Sequence, residues 1–340
     1  MKVLLIKMSS MGDIIHTLPA LTDAGKAIKN ISFDWVVEEN FQEIPTWHPL
    51  VKNVIPIALR RWRKNIFSKK TFSEIKKFKN KLRENQYDLI IDAQGLLKSA
   101  IITRFAKGNR AGLNYQSAWE PLASLVYHHK YSVDEHQHAI VRVRKLISQT
   151  LHYQMPNTIP DYGLSIPKTN QEPYLVFLHG TTWNTKHWPE SYWAALAHLA
   201  VSHKMKIKLP WGNQNEKLRA ERIASASSHV EVMPSLQLKE MAQVLANAQA
   251  VISVDTGLGH LAAALNVPTI ALHGPTDPEL TGILGARQKN LKVNFPCSPC
   301  LARECHYQAG KMHEITPPCF TTLSPELVWA ELNNLLTKEV

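Results

Sequence analysis

Three carboxylates and one lysine stand where a β-rich run gives way to a helical pattern, a place suited to gripping and cleaving a phosphorylated group. Asp13 ends the loop Met8-Ser9-Ser10-Met11-Gly12-Asp13, ahead of a helix expected to start near Ile14. A carboxylate there either caps the helix or takes a proton from an attacking hydroxyl. The helix N-terminus favours its ionised form, so as a base it accepts the proton late, once attack is advanced. Thr181, Thr182 and Lys186 precede a Pro189-initiated helix and offer a diphosphate two hydroxyls and one ammonium; the plainer role for Lys186 is an exposed surface charge. Trp183 and Trp188 beside them supply either an aromatic face or core. Asp255-Thr256-Gly257-Leu258-Gly259-His260 opens a small-residue helix whose first N–H groups can converge on an anion; alternatively the glycines make a tight turn and His260 is a satisfied buried imidazole. Glu216, after Trp211-Gly212, suits a ribose diol, or simply begins a helix as acids often do. The loop at Gly12 lacks G-x-G-x-x-G, which argues against a dinucleotide-dependent oxidoreductase.

These loops need strand ends to hold them, and the chain supplies two alternating series. The first has strands over Val3–Ile6, Phe33–Val37, Val54–Ile57 and Asp88–Asp92, with helices after Asp13, through the basic segment, over Leu96–Ala106 and over His138–Leu151. The second has strands over Tyr174–Leu178, Lys206–Leu209, Val230–Val232, Ala250–Val254 and Thr269–Leu272, with helices over Glu190–His203, Glu216–Ala226, Leu238–Ala248 and Leu258–Leu265. The expected class is α/β, two doubly wound domains over 1–155 and 174–322. A Pro-rich linker over 156–173 joins them, and a last helix within 323–340 is placed back on the first domain. Ligands of such sheets collect at the carboxyl ends of the strands, where the chemical loops lie.

The length of 340 residues and an apolar fraction of 44% exclude a disordered, collagenous or disulfide-dense chain. No apolar run is long enough for a bilayer, and the expectation is a cytoplasmic chain without signal peptide. The net charge of +11 is concentrated: residues 60–83 hold eleven Lys and Arg against the single acid Glu74. Phe72, Ile75, Phe78 and Leu82 recur there at helical spacing, giving a basic amphipathic helix that either meets anionic headgroups or solvates one face of its own domain. Cys297, Cys300, Cys305 and Cys319, spaced C-x2-C-x4-C-x13-C, can bind zinc with His306 as a competing ligand, stay reduced or pair.

Ser9-Ser10-Met11-Gly12-Asp13, Phe33 to Glu39, Arg60-Arg61-Trp62-Arg63-Lys64, Ile91 to Leu96, Lys186-His187-Trp188-Pro189 and Ser253 to Leu258 together closely resemble the lipopolysaccharide heptosyltransferase I family. The resemblance runs collinearly through Gly274-Pro275-Thr276-Asp277-Pro278 and covers most of the chain. It implies the GT-B architecture, two Rossmann-like domains facing across a cleft, the first for acceptor and the second for ADP-heptose. The implied reaction is inverting transfer of L-glycero-D-manno-heptose from ADP-heptose to the Kdo of Kdo-lipid A, in lipopolysaccharide inner-core synthesis of a Gram-negative bacterium. It assigns the base to Asp13, donor binding to Thr181, Thr182, Lys186, Glu216, Asp255, Thr256, Gly257, Leu258 and His260, and acceptor binding to Ser10, Arg60, Arg61, Arg63 and Lys64. No cofactor and no catalytic metal are expected, since helix N-termini and Lys186 can neutralise the diphosphate. Partners are the two substrates and the cytoplasmic face of the inner membrane, held peripherally; no nucleic acid is expected.

Two features depart from that pattern. Trp119 stands where similar enzymes carry an Arg, which removes an acceptor contact, and the cysteine spacing looks more like heptosyltransferase II. The rival readings are therefore a transferase acting on an already heptosylated core, and a non-enzymatic protein that binds nucleic acid or an anionic surface, suggested by a pI near 9.4.

Overall fold

The computed structural model describes residues 1–169, 172–225, 227–307 and 315–337. The chain divides into two compact units, Met1–Leu164 and Ser165–Val340. In the first, strands β1 (Lys2–Ile6), β2 (Ser32–Glu38), β3 (Val51–Ile57), β4 (Gln86–Asp92), β5 (Lys107–Leu113) and β6 (His129–Tyr131) form a parallel sheet in the order β3-β2-β1-β4-β5-β6. In the second, β7 (Tyr174–Leu178), β8 (Lys206–Leu209), β9 (Val230–Val232), β10 (Ala250–Val254), β11 (Thr269–His273) and β12 (Gln288–Lys292) are parallel in the order β12-β11-β10-β7-β8-β9. Each order places the unit's first strand beside its fourth, so each sheet reverses direction at β1/β4 or at β7/β10. That is the Rossmann arrangement twice over.

The central strands read as continuous apolar runs because helices cover both sheet faces; Val3 to Ile6 and Ala250 to Val254 are wholly buried. Trp188, Trp193 and Phe177 form the aromatic centre of the second core, the two indoles meeting edge to face with centroids 5.0 Å apart. Strands β5, β6 and β12 carry no comparable apolar run: Lys107-Gly108-Asn109-Arg110 and Gln288-Lys289-Asn290 are polar edge-side sequences that pairing with a neighbour makes into strands.

One boundary differs from expectation. Residues 156–164 do not link freely but belong to the first unit. Arg144, buried with Asp23, bonds that carboxylate at 2.6 Å and also donates to the carbonyls of Pro156 and Thr158, both at 3.1 Å, while Lys26 pairs with Asp161 and Tyr162 is buried. Helix Pro325–Thr337 sinks Val328, Trp329 and Leu332 into the second unit's core, against helix Glu190–Ser202. The apolar stripe of the basic helix, Lys69–Arg83, is also narrower than its spacing predicts: Phe78 and Leu82 are buried, but Phe72 is exposed.

Candidate active site

The loop after β1 positions Asp13. The helix begins at Met11, earlier than expected, and Ser10 rather than Asp13 is its N-cap. Asp13, one turn in, reaches back so that its Oδ2 accepts from both Ser10 N–H and Ser10 Oγ–H at 2.8 Å. Its other oxygen faces Lys7 Nζ at 3.3 Å. Lys7 is a lysine at the end of a buried strand, 4% exposed, which also donates to Ala93 O at 3.2 Å. Burial pushes the Asp13 carboxyl up, but Lys7, His16 and the Ser10 bonds outweigh it and hold the group at about 2. Asp13 is thus a fixed, ionised carboxylate with a partly exposed face.

The loop is pinned from the neighbouring strand. Gln94, after β4, accepts from Met8 N–H and Ser9 N–H at 2.9 and 3.3 Å and donates to Ser9 O at 2.8 Å. Neither Lys7 nor Gln94 was assigned a role from the sequence; the signal for Lys7 was a charge directly after Val3-Leu4-Leu5-Ile6. Replacing Lys7 with Met removes the nearest positive charge, so the Asp13 pKa rises toward the ordinary carboxylate value near ~4. Where turnover needs ionised Asp13, the acid limb of kcat/KM against pH moves upward in Lys7→Met while the alkaline limb stays.

The second unit brings the other loops together at the reversal point β7/β10. Lys186 Nζ lies 2.8 Å from Asp255 Oδ2, both side chains largely buried, and 4.4 Å over the Trp183 ring. His260 Nε2 stands 3.9 Å from the other Asp255 oxygen. Burial raises the Asp255 carboxyl, yet Lys186, His273 and His260 prevail and hold it at about 2. Thr181 Oγ donates to Asp255 O at 3.2 Å, tying the β7 loop to the β10 loop; Thr182 is exposed beside it. Thr256 is the N-cap of helix Gly257–Ala264, so the half-buried Gly257 and Leu258 present the helix's opening N–H groups. Gly259 lets this helix close on β10, since a Cβ there would fall 2.6 Å from Ser253 Oγ. His273, at the end of β11 and unassigned from sequence, is buried behind Asp255, held by Thr276 Oγ at 3.2 Å and Asn290 Oδ1 at 3.1 Å.

Glu216 joins the same edge. It begins helix Gln214–Ala224, with Asn213 accepting its N–H, and its Oε2 accepts from Gly212 N–H at 2.7 Å. A Cβ at Gly180 would come 2.7 Å from Glu216 Cδ, so that glycine leaves room for the carboxylate next to the β7 loop. Of the two tryptophans, Trp188 is core, its indole N–H bonded to Leu323 O at 3.0 Å, and Trp183 is the half-exposed aromatic face. Arg303 covers the Trp183 ring as well, at 5.3 Å, and Thr185 Oγ donates to Ala302 O at 2.6 Å, so the cysteine-bearing segment braces the Lys186 loop.

The basic block is not uniformly open. Arg61 is forked between Glu39, at 3.0 and 3.1 Å, and Glu74, at 2.8 and 3.1 Å, bonds that raise its pKa. Arg60, Arg63 and Lys64 are exposed, with Arg60 stacked 5.5 Å from the Phe41 ring. Trp119 is 65% exposed and lies under the buried Arg142 guanidinium at 4.7 Å. Cys297, Cys300, Cys305 and Cys319 are free thiols; burial foremost, then the other three thiols, push Cys319 up to about 12. Among the described residues no group of three or more His, Cys, Asp or Glu is arranged to hold a metal, and no helix is long and apolar enough to cross a membrane.

Comparison with known proteins gives this geometry a lineage. Residues 75–311 match the model of glycosyltransferase family 9, the heptosyltransferases. Lipopolysaccharide heptosyltransferase 1 of Pseudomonas aeruginosa is 52% identical over 348 aligned positions, covering 99% of this chain and 98% of that protein. The solved E. coli heptosyltransferase WaaC with ADP superposes with a TM-score of 0.88 at 44% identity, covering 98% of this chain and all of that one. The same enzyme with ADP-2-deoxy-2-fluoro heptose gives 0.85, covering 98% and 99%. With family-wide coverage of more than half its length and a relative identical at every second position, the chain belongs to glycosyltransferase family 9, the heptosyltransferases.

Proposed function

We propose that this enzyme transfers L-glycero-D-manno-heptose from ADP-heptose, with inversion, to the Kdo of Kdo-lipid A in lipopolysaccharide inner-core synthesis. The observation that carries the reading is 52% identity, end to end, with a lipopolysaccharide heptosyltransferase 1. Inversion at a sugar carbon needs a base on the acceptor side and a cradle for the departing diphosphate on the other. In this reading Asp13 accepts the acceptor hydroxyl's proton. Thr181, Thr182 and Lys186 bind the donor phosphates, Glu216 the ribose hydroxyls, and Asp255, Thr256, Gly257, Leu258 and His260 form the loop that steadies Lys186 and offers helix N–H groups to the leaving ADP. Ser10, Arg60, Arg63 and Lys64 meet the carboxylates and phosphates of the acceptor; Arg61, already forked between two glutamates, shapes that surface. Neutralisation of ADP by Lys186 and the helix N-terminus calls for no metal. An acceptor embedded in lipid requires work at a membrane surface, which the basic segment 60–83 supports through charge.

An ADP-release assay with ADP-heptose decides among the readings. The expected result is turnover on Kdo-lipid A that persists in chelator, with little on an already heptosylated core. Preference for the heptosylated core would transfer the assignment to the type II reaction, and strongly salt-dependent nucleic-acid binding without ADP release would remove the enzymatic reading.

A further inference from the structure

The turn and helix over 65–83 expose more than charge. Phe67 is 90%, Phe72 59% and Ile66 52% exposed, within seven consecutive residues. This segment is anchored from behind. Trp62 is buried, donates to Glu74 Oε2 at 2.7 Å and meets Phe78 edge on; Arg61 is forked to Glu39 and Glu74. The turn itself is closed by Asn65 N–H to Trp62 O and Ser68 N–H to Asn65 O, both 3.1 Å, and Ser68 Oγ caps Thr71 N–H at 3.0 Å. The backbone therefore presents the three side chains outward while the apolar face of the helix is spent on Phe78 and Leu82. Phe72 shares the helix flank of Lys76, Lys79 and Arg83, at four, seven and eleven residues' spacing, and Lys69 and Lys70 lie next to the turn. A large apolar tip ringed by cations complements one surface best, a bilayer with anionic headgroups over an apolar interior. Nucleic acid would meet the lysines but gives Ile66 and Phe67 nothing to bury against except unstacked bases.

We infer that Ile66, Phe67 and Phe72 form a wedge that inserts below the headgroups of an anionic membrane while the surrounding lysines and arginines hold the phosphates. This rests on the peripheral-membrane part of the function proposed above and adds the depth and the residues of attachment. Charge alone would give binding abolished by salt; a wedge leaves a salt-resistant fraction.

The test is sedimentation of the full chain with vesicles of phosphatidylcholine alone and of phosphatidylcholine with phosphatidylglycerol, at low and high salt. The wild type is expected to partition to the anionic vesicles and to retain part of that binding at high salt. Phe67→Ser with Phe72→Ser should lower the partition coefficient about tenfold or more and erase the salt-resistant part, with ADP release on a deacylated, water-soluble acceptor unchanged. Leu122→Ser with Leu125→Ser serves as a control, since these residues are also 55% and 70% exposed but lie outside the basic segment. Wild-type partition by the Phe67/Phe72 variant, or an equal loss in the Leu122/Leu125 variant, would overturn the wedge while leaving the transferase reading to the ADP-release assay. Tight binding to duplex DNA with none to either vesicle would overturn it too.

Discussion

Asp13→Asn is expected to lower kcat by about two to four orders of magnitude, the range typical of a missing general base, with ADP-heptose affinity nearly intact. Asn is the informative replacement because its side-chain oxygen can still accept Ser10 N–H and preserve the helix start. What it cannot do is take a proton or balance Lys7. The lysine, 3.3 Å away and buried, then loses its charged partner while still donating to Ala93 O, a loss that lowers stability independently of chemistry. The double variant Lys7→Met/Asp13→Asn separates the two effects: thermal stability should recover relative to Asp13→Asn, whereas turnover should not. A near-normal kcat in Asp13→Asn, with donor and acceptor saturating, would falsify the assignment of the base.

In its proposed role as base, Asp13 is constrained by its low pKa. A carboxylate held at about 2 is a poor base toward an unreacted alcohol. It becomes adequate once the hydroxyl is bonded to the sugar carbon and its proton has turned acidic, which suits a transition state rich in oxocarbenium character. Lys7 therefore guarantees the charge and direction of Asp13 at the cost of basicity. In the mechanism proposed above, leaving-group stabilisation then supplies much of the rate, which places the larger electrostatic demand on the donor loops of the second unit.

The legible parts of this molecule were those where one local pattern suffices. Apolar runs such as Val3–Ile6 and Ala250–Val254 announce strands buried on both faces, and their loops carry Asp13 and Asp255 at the ends where parallel sheets present ligands. The polar strands β5, β6 and β12 were illegible because their strand character is conferred by the neighbour they pair with. Second partners were also hidden. Nothing in the spacing joins Lys7 to Asp13 or His273 to Asp255, since each contact is made by adjacent strands or by a strand and the helix behind it. Arg61 shows the converse: read from composition it is a free cation, and the fold closes it between Glu39 and Glu74, one before it in the chain by 22 residues and one after it by 13.

Lys186→Met is expected to weaken ADP-heptose binding about 10- to 100-fold, the worth of one to two charge-assisted hydrogen bonds to phosphate, and to lower kcat further because the charge on departing ADP grows in the transition state. An ammonium has three N–H donors and Asp255 takes one of them at 2.8 Å, so the pair is a pre-aimed donor rather than a closed one. Removing Lys186 also strands Asp255, which is 8% exposed, without the ammonium that faces it at 2.8 Å. Its carboxyl then climbs from about 2, where Lys186 helped to hold it against burial. The sign for stability follows from that depression. A folded pKa below the unfolded value near ~3.9 contributes stability at neutral pH, about 2 kcal/mol for this shift, that is lost as pH falls through about 4 toward 2. Lys186→Met should therefore flatten or reverse the acid limb of stability against pH, read by urea unfolding between neutral and acid conditions. Asp255→Asn gives the matching control: it frees the ammonium without removing it, so ADP binding should fall far less than in Lys186→Met, with the difference reporting how much of the effect is aim and how much is charge. Equal losses of ADP affinity in the two variants would mean that Lys186 serves the fold of the loop and not the phosphate.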